Sequence, residues 1–71
     1  MFSKREEEVM KLIIKGLTNA EIAADLVISP HTVKAHIEHI YSKLGVHNRL
    51  QAVMKYLKQK SFKKGNSNKK A

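Results

Sequence analysis

The stretch from Ser29 to Gly45 marks both ends of one helix, and that helix constrains everything around it. Ser29 is a good N-cap, because its hydroxyl can accept from a free amide of the first turn. Pro30 follows at the first helical position, where its missing N–H costs nothing. Gly45, just after Lys43 and Leu44, supplies the left-handed residue that ends helices, with a lysine near the negative end of the dipole. Between these limits Val33, Ile37, Ile40 and Leu44 recur at i, i+4, i+7 and i+11, which makes one apolar stripe. At about 100° per residue the far side carries His31, Lys34, Ala35, Glu38 and Ser42, and no large aliphatic residue. Such a helix buries one side and presents the other.

Start signals place three more helices. Ser3, with Glu6 three residues on, reads as a capping box. It opens a helix with Val9, Leu12 and Ile13 inward, Met10 beside them, and a stop at Gly16. Thr18 and Glu21 form a second box, opening a short helix to about Leu26 with Ile22, Ala23 and Leu26 inward. Val27 and Ile28 make the following turn, with Ile28 expected to be buried. Asn48 with Gln51 resembles a third box and starts a helix expected to end near Lys60. On it Leu50, Met54 and Leu57 form one stripe, and Val53 and Tyr56 a neighbouring side. One side can face the core while the other pairs with a second copy; a single wide core face is the alternative. The expected fold is all-α, a four-helix domain over residues 1–60. Residues 61–71 are polar and basic and lack a core set beyond Phe62, so a disordered tail is expected there.

Composition narrows the classes of function. The chain has 71 residues and a net charge of +8, enough for one small domain. Residues 1–54 hold seven basic and six acidic side chains, whereas the last 17 residues hold seven lysines and no acid. The surplus therefore lies at the C-terminal end. It points to a polyanionic partner without locating a specific contact. There is no cysteine, which excludes disulfides and fits a reducing compartment. No apolar run approaches the ~18 residues of a membrane span, and no signal-peptide core is present. A cytoplasmic protein without a membrane partner is expected.

The order of helices over residues 18–44, a short helix, a tight turn and a helix with a bare outer face, is that of a helix-turn-helix. The residues in and around it carry a resemblance. The run Glu21-Ile22-Ala23, Leu26, Ile28-Ser29, Thr32-Val33-Lys34, His36, Ile40, Lys43-Leu44-Gly45-Val46, Asn48-Arg49 and Ala52-Val53 resembles the LuxR/GerE-type helix-turn-helix. Arg5-Glu6 and Glu8-Val9 are similar to its opening segment, so the likeness covers about residues 2–57. The resemblance implies a four-helix DNA-binding domain of a bacterial transcriptional regulator, pairing through the fourth helix and binding two half-sites of duplex DNA. With Met1 almost on the motif, either a stand-alone regulator of the GerE kind or an excised effector domain is expected. There are three departures from the pattern: Phe2-Ser3 replaces leucine-threonine, Tyr56 stands where a small residue is common, and Glu38 puts an acid on the reading face.

Roles follow from helix geometry and chemistry together. Lys34, in the first turns of the third helix, suits a hydrogen bond to guanine O6 or N7, against the plain reading of a solvated lysine. Ala35 beside it fits a thymine methyl, or is simply a good helix former. His31 belongs to the same face. Glu38 can accept from cytosine N4, fold onto Lys34 at i, i+4, or exclude wrong sequences. Thr32, His39 and Lys43 flank that strip, and Thr18 and Asn19 stand where the preceding helix begins; these suit phosphate oxygens. Arg49 is divided between a phosphate and an internal ion pair. Leu50, Val53, Met54 and Leu57 form the expected homodimer interface. His31, His36, His39 and His47 do not project from one face and have no H-E-x-x-H pattern, so no metal site is expected. Gly16, Gly45 and Gly65 are isolated, so no phosphate loop forms, and neither catalysis nor a cofactor is expected. The alternative function is an adaptor that docks its basic helix on RNA polymerase or a sigma factor. It predicts no preference between duplex sequences.

Overall fold

A computed structural model describes residues 2–69, with side chains through residue 59. Four helices follow in order: α1 (Lys4–Ile14), α2 (Asn19–Leu26), α3 (Pro30–Leu44) and α4 (Arg49–Lys69). No strand occurs among the described residues.

Local chemistry starts each helix. Ser3 accepts from the Glu6 amide at 3.1 Å, and the Glu6 carboxylate returns to the Ser3 amide at 2.9 Å. Thr18 and Glu21 repeat the exchange at 3.2 and 2.8 Å. Ser29 caps α3 by accepting from the Thr32 amide, with Pro30 inside the first turn. The box expected at α4 forms only in part. Asn48 accepts from the Gln51 amide at 2.9 Å, but Gln51 Oε1 reaches one residue further back, to the His47 amide.

Helix ends show a shared device and one exception. After α1, Gly16 at φ 94° lets the Leu17 amide close back on the Leu12 carbonyl. Gly45 at φ 71° does the same after α3, where the Val46 amide reaches Tyr41. After α2 the left-handed position is held by Val27, at φ 58°. A β-branched residue there sets Cβ against the backbone, at roughly 1–2 kcal/mol. Val27 is also 87% exposed, so it gains little from packing. Val27→Asn should therefore raise stability by about 1 kcal/mol, or roughly 5 °C in the midpoint of thermal unfolding for a domain of this size. A midpoint that stays level or drops in the calorimeter would show that the turn carries no strain.

One core joins all four helices. Val9, Met10 and Ile13 of α1 meet Ile22 and Ala23 of α2 and the expected stripe of α3, Val33, Ile37, Ile40 and Leu44. Leu12, Leu26 and Ile28 are only half-buried at its margin. From α4 come Ala52 and Tyr56, both buried, with half-buried Val53 beside them. The Tyr56 ring meets Phe2 edge-on, centroids 5.6 Å apart. The large residue that stands where the family commonly has a small one is thus part of the core.

Two expectations change at α4. Val53, included in the expected homodimer interface, packs against the core, whereas Leu50, Met54 and Leu57 are exposed. The helix also continues to Lys69 rather than ending near Lys60. No proline or glycine interrupts residues 60–64, so nothing local ends the helix there. Of the tail expected over residues 61–71, residues 70 and 71 and every side chain lie outside the described residues.

Candidate nucleic-acid interface

The outer face of α3 is as bare as its sequence requires. His31, Lys34, Ala35, Glu38 and Ser42 are all exposed, and Thr32 and His39 flank them in the open. Among the described residues neither Lys34 nor Glu38 has an ion-pair or hydrogen-bond partner, although they stand four residues apart on one face. The reading in which Glu38 folds onto Lys34 is therefore not what the structure contains. His36 is half-buried beside the apolar stripe.

Two helix N-termini contribute polar groups. The Thr18 hydroxyl accepts from the Glu21 amide, which leaves its own proton available to donate. Thr32 Oγ1 lies 2.9 Å from Ser29 Oγ, so this pair of hydroxyls shares one hydrogen bond and retains a second proton. Asn19 is half-buried, and its Oδ1 accepts from Arg49 Nη1 at 3.3 Å. With the oxygen so engaged, the Asn19 NH2 is the end left to donate outward.

Two residues expected at phosphates have internal partners. Arg49 donates to the Leu17 carbonyl as well as to Asn19, tying the start of α4 to the loop between α1 and α2. Its partners are neutral, so the internal ion pair weighed from sequence is not formed among the described residues. Lys43 Nζ donates to Glu6 Oε1 at 2.8 Å and lies 5.7 Å from the centre of the Phe2 ring. Glu6 is 5% exposed, and the same Oε1 accepts from the Ser3 amide. The Lys43 hydrogen bond first, and the Ser3 amide second, hold the Glu6 carboxyl below its usual range against the opposing effect of burial; the charges of Lys43 and His39 act in the same downward direction. Sequence reading missed this pair. Its members are 37 positions apart, and Glu6 already had a complete local explanation as a capping residue.

The arrangement offers an exposed helix face with two unpaired charges, flanked by hydrogen-bond donors at two helix N-termini. Residues 1–56 match the family model described as bacterial regulatory proteins, luxR family. The chain belongs to the luxR family. Among its relatives, the spore germination protein GerE of Bacillus subtilis is 45% identical over 58 residues, covering 82% of this chain and 78% of GerE. The oxygen regulatory protein NreC of Staphylococcus aureus is 47% identical over 60 residues, or 84% of this chain. The crystal structure of the response regulator ChrA, from a heme-sensing two-component system, matches with a TM-score of 0.83 at 47% identity over 84% of this chain. The chain spans 28% of NreC, 30% of ChrA and 5% of a Mycobacterium tuberculosis HTH-type regulator that is 46% identical. This luxR-family chain thus carries a helix-turn-helix DNA-binding domain, all-helical among its described residues. Among the described residues no helix is long and apolar enough to cross a membrane.

Proposed function

We propose that this luxR-family domain binds duplex DNA sequence-specifically as a homodimer, with α3 in the major groove. The observation that carries the reading is the α3 face itself: exposed, free of large aliphatic side chains, with Lys34 and Glu38 unpaired among the described residues. A helix fits the major groove and reads base edges with the side chains of its first turns. Lys34, Ala35, Glu38 and His31 then meet bases. Thr18, Asn19, Thr32 and His39 meet phosphates and set register. Lys43 and Arg49 act from inside the domain, Arg49 by orienting the Asn19 amide. Leu50, Met54 and Leu57 supply the pairing surface, with Val53 supporting it from the core side.

Selection of bound duplexes from a randomised pool, near physiological salt, tests this reading. The wild type should recover one preferred motif. Lys34→Ala should lose about 1–3 kcal/mol against that motif and relax one base position while leaving the others. Equal affinity for selected and random duplexes would favour a domain that docks on RNA polymerase or a sigma factor.

A further inference from the structure

The target sequence is constrained by an acid where affinity alone would put a cation. A carboxylate entering a groove walled by phosphates loses its hydration and gains repulsion, unless it finds a donor there. Glu38 is exposed, and among the described residues it has no internal donor to satisfy it, not even Lys34 one turn away. The floor of the major groove offers two donors, cytosine N4 and adenine N6. Adenine presents its N7 acceptor beside N6, facing a second carboxylate oxygen with a lone pair. Cytosine presents the N4 donor without that neighbour, so the carboxylate fits cytosine.

We propose that Glu38 is a specificity-determining residue that selects a cytosine, in fixed register with a guanine taken by Lys34. This rests on α3 being the reading helix. Four residues of α-helix advance about 6 Å, and base pairs stack about 3.4 Å apart. The guanine and the cytosine therefore fall within about two base-pair steps of one another in each half-site. Ala35, between them on the same face, leaves room for a thymine methyl.

The test compares motifs selected by the wild type, Glu38→Ala and Glu38→Gln, followed by titration of the selected duplex with the cytosine pair replaced by each other pair. Glu38 is exposed, so all three proteins should unfold at closely similar temperatures. The wild type should prefer the cytosine on the order of tenfold or more. In Glu38→Ala that preference should collapse while the guanine preference persists. In Glu38→Gln it should move towards adenine, because an amide matches N6 and N7 together. A carboxylate that only repels would behave differently: Glu38→Ala would tighten binding to every duplex alike and leave the motif unchanged, and that result overturns the proposal. A wild type that selects no motif would overturn the reading of α3 itself, which separates the two failures.

Discussion

Met54→Glu should leave a folded monomer that binds a two-half-site duplex about a hundredfold more weakly or worse, with its affinity for a single half-site almost unchanged. Leu50, Met54 and Leu57 are 69%, 61% and 45% exposed and recur at i, i+4 and i+7 on one side of α4. The opposite side reaches the core through Ala52 and Tyr56. Water-facing substitutions of this kind cost the isolated domain little. At a two-fold interface, however, one substitution acts twice, because each carboxylate meets the apolar stripe of the other copy and lies near its own symmetry mate. Losing the pairing removes the effective concentration of the second half-site, which is worth about 10²–10⁴ in affinity. Sedimentation, with titrations of duplexes carrying one and two half-sites, distinguishes the outcomes. A dimer that survives, or an equal loss on both duplexes, would show that pairing lies elsewhere.

That stripe also shows where the sequence stops being informative. Hydrophobic periodicity identifies an apolar face, but α4 carries two, and the regular aliphatic stripe of Leu50, Met54 and Leu57 lies on the exposed one. The core side is chosen by shape. Ala52 is small enough to be buried completely in the core, and Tyr56 finds the edge of Phe2, more than fifty residues away. Neither property is visible within one helix. By contrast, the start of α1 at Ser3, of α2 at Thr18 and of α3 at Ser29, and the end of α3 at Gly45, were legible, because each cap is a hydrogen bond between residues a few positions apart. The exposed face of α3 was legible for the same reason, since its burial pattern repeats within its own turns. The interface was harder to read where a side chain had two possible employers. Lys43 and Arg49 are cations of the right type at the right edge, but Glu6 and the Leu17 carbonyl hold them from positions 37 and 32 residues away. The strain at Val27 was hidden too, because a valine gives no sign of a left-handed backbone.

Lys43→Met should destabilise the domain by about 2 kcal/mol and make it unfold at a less acidic pH, while binding to DNA changes little. Removing one member of a fully buried ion pair costs about 3–5 kcal/mol. The Lys43 side chain is 41% exposed, so part of its attraction is already screened and the lower figure follows. Even so, a chain of this length has only about 4–10 kcal/mol in total. The acid dependence has a definite sign. Folding lowers the Glu6 pKa, chiefly through the Lys43 hydrogen bond, so its contribution is fully present above the unfolded value of about 4.5. It is lost as the pH falls through the lower folded value. Without Lys43 only the Ser3 amide and the smaller effect of His39 oppose the upward push of burial, and protonation begins at a higher pH. Combining Lys43→Met with Glu6→Leu removes the stranded charge, so the double variant should be more stable than the sum of the two losses allows. Additive losses in denaturant titrations would mean that the two side chains do not act as a pair. Operator titration against salt then separates this internal role from a phosphate contact. A lysine on a phosphate would reduce the salt slope by about one when removed, whereas a lysine committed to Glu6 should leave the slope unchanged.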